Sequence, residues 1–446
     1  MSTVDSRVVT KRKRSRRTEL VLLLASWAIT TAFYVLASLG SHGAMPTNLY
    51  RFLAVMIGIS YGLHLGIRFL APFSSQILLP IATMLNGIGF VEIVRWNPPR
   101  ASYQALWFAI SAVAVLVTLA LVRRARDLDR YRYITLLTAI VLMLSPLIPH
   151  FGRNIGGARL WIVVGPLSLQ PIEIAKILLA FFFASYFASN RAVLSTPSQR
   201  FMGRLIVPPR VLVPILAAWG LAIGILGAEN NIGFAILLFT LFIALLWLTT
   251  GLKSYLALGG AMFVLGAAVA YQIFPQVQAR VSLWINPWSA HNLAHTQQII
   301  QGWFSLAAGG VTGTGLGLGQ SGNISFITSD MIFAAVGEEL GLIGIIFVLC
   351  LFVAFVGEGF AIAQRSHTDF VRIATVALTA TVGLQAFVIM AGILRLLPFT
   401  GITLPFVAYG GSSLFSNYII LALLLRISDE NNRERGGGTI VTLGDD

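Results

Sequence analysis

The stretch Met331–Val356, MIFAAVGEELGLIGIIFVLCLFVAFV, decides how this chain is read. It carries two charged residues, Glu338 and Glu339, and is otherwise apolar on every side. As a helix rising about 1.5 Å per residue it exceeds the ~30 Å hydrocarbon core of a bilayer. A helix that is apolar all round lies either in the core of a large soluble protein or in lipid. Composition chooses between them: 57% of the 446 residues are hydrophobic and 11% are Asp, Glu, Lys or Arg, against about 25% charged in an ordinary soluble domain. A soluble fold could not cover so much apolar surface with so few polar groups. The chain therefore reads as an all-α, polytopic integral membrane protein.

Similar runs occur on both sides of that stretch. Segments of spanning length fall at about 19–39, 48–67, 75–94, 103–122, 131–149, 170–190, 211–228, 232–251, 254–274, 331–356, 370–394 and 402–425, so about twelve transmembrane helices are predicted. Lys and Arg set the orientation. Twenty-three of the 31 lie in the N-terminal tail, the C-terminal tail and the alternate loops between them, and seven lie on the opposite side. Both termini are predicted to be cytoplasmic. The net charge of +14 thus orients helices and meets membrane lipids; it calls for no nucleic acid. The one cysteine, Cys350, lies in an apolar run and can form no internal disulfide.

The first run follows a basic tail but is longer than a signal-peptide core and lacks a clear cleavage site, so it reads as a retained helix. The expected organisation is a basic cytoplasmic tail at 1–18, a transmembrane domain at 19–427 and a short polar cytoplasmic tail at 428–446. One connection is long: residues 275–330, on the outer face. Trp284, Trp288, Trp303, Phe304 and a glycine run make it too apolar for disorder, and an interfacial helix is expected near Thr296–Ala307.

Chemistry is sought where charge enters the apolar runs. Asp330 ends the long outer loop, and Glu338 and Glu339 follow about two turns later, roughly 12 Å deeper. With Gly341 they read as one continuous element entering from outside. Asp330 can be a solvent-reachable base or the cap of that helix. Glu338 and Glu339 can form a buried polar or cation-binding shell, or a structural salt bridge. In Gln170-Pro171-Ile172-Glu173-Ile174-Ala175-Lys176, Glu173 and Lys176 share a face and can pair. Lys176 can instead meet an anionic headgroup or a carboxylate from another helix. Arg159 can hold a phosphate, with Trp161 an interfacial anchor. Pro405 followed by Gly410, Gly411, Ser412 and Ser413 suggests a broken or closely packed helix. The run Gly313–Gly319 lacks the βαβ context of a dinucleotide loop. His291 and His295 have metal-ligand spacing but no third ligand, so no zinc site is expected.

Taken in order, these clusters resemble the SEDS family of polytopic membrane proteins (RodA, FtsW, SpoVE). The resemblance runs from about residue 75 to 428. Its marks are Gly157-Ala158-Arg159-x-Trp161, Gln170-Pro171-x-Glu173-x-x-Lys176, Arg280-Val281-x-x-Trp284-x-x-Pro287, Gln298-x-x-Gln301, Gly313-x-Gly315-Leu316-Gly317, Asp330-x-Ile332-Phe333-x-x-x-Gly337-Glu338-Glu339-Leu340-Gly341 and Leu404-Pro405-x-x-x-Tyr409-Gly410-Gly411-Ser412-Ser413. Such proteins typically have ten helices. Here two more precede the match, at 19–74, which resembles RodA-type members from actinobacteria, as does the short C-terminal tail.

The resemblance implies a peptidoglycan glycosyltransferase that polymerises lipid II on the outer face of the plasma membrane, beside a class B penicillin-binding protein. It implies that Asp330 is catalytic. It also implies Arg159, Lys176, Arg280, Gln298, Gln301, Glu338, Ser412 and Ser413 at the substrate, with Glu173, Glu229, Glu339, Pro405, Gly410 and Gly411 in support. A divalent cation, Mg²⁺ or Mn²⁺, is implied, with no residue assigned to it. The chain departs from the family where Ile172 and Ala408 replace Ser, Asn231 replaces Asp, Met331 replaces Phe and Gln297 replaces Tyr. A lipid-linked precursor flippase and a non-catalytic partner of a penicillin-binding protein are the competing readings.

Overall fold

The structure is a computed structural model that describes residues 16–149, 151–155, 158–165, 167–196, 199–201, 204–206, 209–289 and 293–437. Most of the basic N-terminal tail, Gly157, His291 and residues 438–446 lie outside the described residues, as does the side chain of His295.

Helices dominate. In chain order they are α1 Arg17–His42, α2 Leu49–Leu70, α3 Leu78–Trp96, α4 Pro98–Leu121, α5 Arg132–Leu144, α6 Ile172–Ser195, α7 Pro209–Ala228, α8 Ile232–Thr250, α9 Lys253–Ile273, α10 Pro275–Ile285, α11 Leu293–Gly309, α12 Ile332–Gln364, α13 Asp369–Ile393 and α14 Gly411–Gly437. Among the described residues eleven are long and apolar enough to cross a membrane: all but α5, α10 and α11. The fifth predicted span, 131–149, is a correction. α5 has 13 residues, about 20 Å of helix against a ~30 Å core. It gives way at Ser145–Leu147 to a 3₁₀ turn containing Pro146, which cannot donate to the α-helical ladder.

Two further expectations are corrected. The last span does not start at 402. Residues 401–410 are non-helical, and α14 begins at Gly411. Nor is 428–446 simply a polar tail, because α14 continues to Gly437 with Ser428, Asp429 and Asn431 buried. The long loop at 275–330 contains α10 and, over the expected stretch, α11. Two short antiparallel ribbons complete the chain: β1 Gly152–Ile155, β2 Ala158–Val164 and β3 Leu167–Leu169 in the order β1-β2-β3, and β4 Gln199–Phe201 with β5 Arg204–Ile206.

Most of α3, α6, α13 and α14 is enclosed by other helices, whereas α9 is almost entirely uncovered. α14 lies along α4, α1 along α3, α5 along α6, and α12 along α13. Helix starts follow local chemistry. Asn97 accepts from Arg100 N at 3.1 Å, ahead of Pro98 in the first turn of α4. Asn231 caps α8 through Phe234 N at 3.4 Å, work that Asn does as well as the Asp usual there in the family it resembles.

Candidate active site

Asp330 sits in the turn between α11 and α12, half-buried. Three pieces of backbone converge on it. Gly401, at φ +66°, leaves room beside the carboxylate: a Cβ there would lie 3.4 Å from Asp330 Oδ2. Arg280, on α10, donates to the carbonyl of Phe399 and so is tied to the same 399–401 segment. Arg100, in the first turn of α4, donates to Thr328 Oγ1 at 2.9 Å and lies over the Tyr409 ring at 5.3 Å. Tyr409 N closes the arrangement on Thr328 O at 2.8 Å.

The electrostatics follow from that packing. Burial pushes the Asp330 carboxyl up to about 7, against the pull of the Ser329 hydroxyl and of the Arg280 and Arg100 charges. Burial also lowers Arg280, and Asp330 partly offsets it. A carboxylate near neutrality between two guanidinium groups can take a proton while its neighbours hold an anion.

Lys176 is fully buried and committed. It pairs with Glu173, one turn earlier on α6, and donates to Gln385 Oε1 on α13 at 2.7 Å. Ser416 donates to Glu173 Oε2 at 2.7 Å. Gln385 Nε2 in turn donates to Thr403 O at 3.0 Å. Lys176 therefore braces the broken segment that carries Gly401, and the local ion pair read from the sequence forms.

α12 is not one continuous element, contrary to expectation. It breaks at Gly341 (φ +64°, ψ −162°) into Ile332–Leu340 and the longer helix beyond. The glycine-rich loop fills the break: Thr314 N bonds Glu338 O at 2.9 Å, Gly315 N bonds Glu339 O at 3.1 Å, and Leu342 N bonds Gly310 O at 3.0 Å. A Cβ on Gly341 would lie 2.6 Å from Val311 O, and one on Gly313 would overlap Glu339 O. The side chains serve the same loop. Glu338 accepts from Gln320 N at 2.8 Å and from Ser321, and Glu339 from Gly317 N at 3.1 Å. Arg95 pairs with Glu339 and donates to Gly319 O at 2.7 Å.

A family model for FtsW, RodA and SpoVE, described as cell cycle protein, matches residues 96–433. The chain belongs to the FtsW/RodA/SpoVE family. Among its relatives is the peptidoglycan glycosyltransferase RodA of Mycobacterium tuberculosis H37Rv, 35% identical over 424 residues that cover 93% of this chain and 90% of the relative. The probable peptidoglycan glycosyltransferase FtsW of Geobacter metallireducens is 31% identical over 331 residues, covering 73% and 84%. Two solved structures share the fold. A chain from a peptidoglycan synthase complex that coordinates polymerization and crosslinking matches with TM-score 0.66 at 23% identity, over 80% of this chain and 98% of that one. The Thermus thermophilus rod shape determining protein RodA matches with TM-score 0.57 at 21%, over 80% and 97%.

For this member of the FtsW/RodA/SpoVE family, the structure groups the predicted residues into three sets. Asp330 and Arg280 stand together. Glu173, Lys176, Ser412 and Ser413 lie behind the 399–410 segment, where Ser412 Oγ accepts from Gln170 N at 2.8 Å. Glu338 and Glu339 hold the glycine loop. Arg159 is exposed on β2 and is not tied to Asp330. Gln298 and Gln301 are half-buried on α11, and Gln298 Nε2 is buried without a hydrogen-bond partner. Glu229 is a buried carboxyl that burial pushes up to about 8. Pro405 opens a turn whose Val407 carbonyl abuts Gly89 of α3; Gly410 faces Thr403, and Gly411 lies under Trp107. Sequence reasoning missed Arg100, Gln385, Arg95 and Glu92. Glu92, buried in α3, accepts from Trp96 Nε1 at 3.0 Å and was detectable as an acid inside an apolar run.

Proposed function

We propose that this chain is a RodA-type peptidoglycan glycosyltransferase that polymerises lipid II, with Asp330 as its general base. The observation that carries the reading is the placement of Asp330 beside Gly401, with Arg280 tied to the same 399–401 segment and Arg100 to Thr328 of the turn that leads to it. In the reaction, the acceptor's 4-hydroxyl oxygen attacks the donor's anomeric carbon. The bond from that carbon to the undecaprenyl diphosphate breaks, and the diphosphate leaves with the electron pair. Asp330 takes the hydroxyl proton, help worth about 10²–10⁴ in rate. Arg280 and Arg100 meet the charge growing on the leaving diphosphate.

A divalent cation fits this site only as a guest of the substrate. Among the described residues no three His, Cys, Asp or Glu side chains form a metal cluster, and Asp330 is the one carboxylate beside the two arginines. Mg²⁺ keeps several waters and binds readily through substrate phosphates, so the diphosphate would hold it and leave Asp330 free to take the proton. Bound there, it would supply further neutralisation of the leaving group. The proposed topology puts both termini in the cytoplasm and Asp330 outside. The proposed partner is a class B penicillin-binding protein, in line with the peptidoglycan synthase complex that contains a chain of the same fold.

The test is polymerisation of lipid II by the purified full chain, with and without such a partner and with Mg²⁺ or Mn²⁺, read as glycan strands on a gel. Strands from the wild type are the expected result. No strands from folded, partner-bound protein, together with lipid II translocation in vesicles, would replace the polymerase by a flippase.

A further inference from the structure

α1 and α2 precede the stretch that the family model matches, yet α1 reaches the loop that leads to Asp330. Near its C-terminal end, Gly40 lies against Leu316 so closely that a Cβ would overlap the Leu316 carbonyl oxygen and stand 3.1 Å from Gly317 Cα. The contact is reciprocal. A Cβ on Gly317, itself at φ +87°, would overlap the Ala37 carbonyl and stand 2.8 Å from Ser41 N. Two backbones therefore touch with no side chain between them, and only glycine on each side permits it.

The opposite flank of the same loop is held by Glu339, which accepts from Gly317 N, and by Arg95, which donates to Gly319 O. Leu316–Gly319 is gripped between α1 and the break in α12. From Gly319 the chain runs through Ser321, bonded to Glu338, and Thr328, bonded to Arg100, to Asp330. The loop is thus fixed at its start by α1 and at its end by α4.

We infer that the outer end of α1 is a positioning element for the catalytic loop, with Ala37, Gly40 and Ser41 as the positioning residues. The inference rests on the proposed role of Asp330. Displacing α1 from Leu316–Gly317 releases the start of the loop and lets Asp330 drift from its place beside Gly401. A misplacement of about 1 Å is enough to cost a large factor in rate.

The experiment compares Gly40→Val with Gly87→Val in the full chain. Gly87, on α3, lies against Thr30 in the middle of α1, so its replacement disturbs the packing of α1 away from the loop. Thermal midpoint, kcat and KM for lipid II, and hydrogen exchange of peptides covering 310–330 are measured for each. Gly40→Val is expected to speed exchange in the loop several-fold and to lower kcat by about tenfold with KM little changed. Gly87→Val is expected to lose comparable thermal stability with loop exchange and kcat near wild type. Gly40→Ala reads the same quantities, at smaller size, where the valine variant does not fold. Unchanged loop exchange on replacing Gly40, or a kcat loss that tracks thermal stability in both variants, would overturn the inference. The exchange readout needs no polymer, so failure of the grip and failure of the proposed reaction are told apart.

Discussion

Asp330 is held at about 7 by burial against the pull of Arg280 and Arg100, so its charge changes near neutral pH. The base form is the carboxylate. Activity should therefore fall about tenfold per unit as pH drops below ~6 and level off above ~8. Removing a neighbouring positive charge disfavours the carboxylate further, so Arg100→Gln should move the profile to higher pH as well as weaken substrate binding; kcat/KM against pH reads both. A profile unmoved by Arg100→Gln would remove that arginine from the site. The Glu173–Lys176 pair calls for a stability test. Lys176→Met leaves Glu173 buried without its cation and should cost about 3–5 kcal/mol, most of it recovered in Glu173→Leu/Lys176→Met; thermal unfolding in detergent measures it. Asp330 was legible in the sequence because an acid at the edge of a long apolar run has few reasons to be there. The i, i+3 spacing of Glu173 and Lys176 left a pair and a substrate contact both open, and Gln385, 209 residues away, settles where Lys176 points. Arg100 carried no local signal: its partner Thr328 lies 228 residues downstream.

Among the elements, the break in α12 matters most. Gly341→Ala puts a Cβ 2.6 Å from the Val311 carbonyl at a φ of +64°, a backbone strain of about 1–3 kcal/mol before the overlap is counted. The variant should still insert in the membrane yet lose the glycine-loop contacts and most polymerisation, measured as glycan yield per folded protein. Wild-type yield would show that the break is dispensable. Hydropathy located the helix because Met331–Val356 is apolar apart from Glu338 and Glu339, but it could not see the break. A break needs a second strand of backbone to satisfy the freed groups, and that strand, 310–315, is set by tertiary packing. The same limit explains α5, where apolar residues continue past Leu144 while Pro146 ends the α-helical ladder, and α14, whose non-helical approach at 401–410 reads as apolar as a span.

At the scale of the whole molecule, the apolar composition and the basic asymmetry made the polytopic fold readable, because lipid leaves the backbone few alternatives to helices. The C-terminal turns of α14 were misjudged because Asp429, Glu430, Asn431 and Asn432 are polar. Their polarity serves the bundle. Asp429 accepts from Phe73 N at 2.8 Å, Glu430 from Ala125 N at 2.8 Å, and Asn431 donates to Ile362 O at 3.0 Å. These bonds join α14 to the α2–α3 connection, the α4–α5 connection and α12. Truncation after Ile427 should lower the thermal midpoint and the folded yield, and an unchanged midpoint would show the clasp to be idle. The role of Asp330 as general base is read from glycan synthesis from lipid II by wild type and Asp330→Asn, each with the same class B partner and the same fold by thermal midpoint. Strands are expected from the wild type and none from Asp330→Asn, with partner binding intact. Strands of equal yield from both would contradict that role.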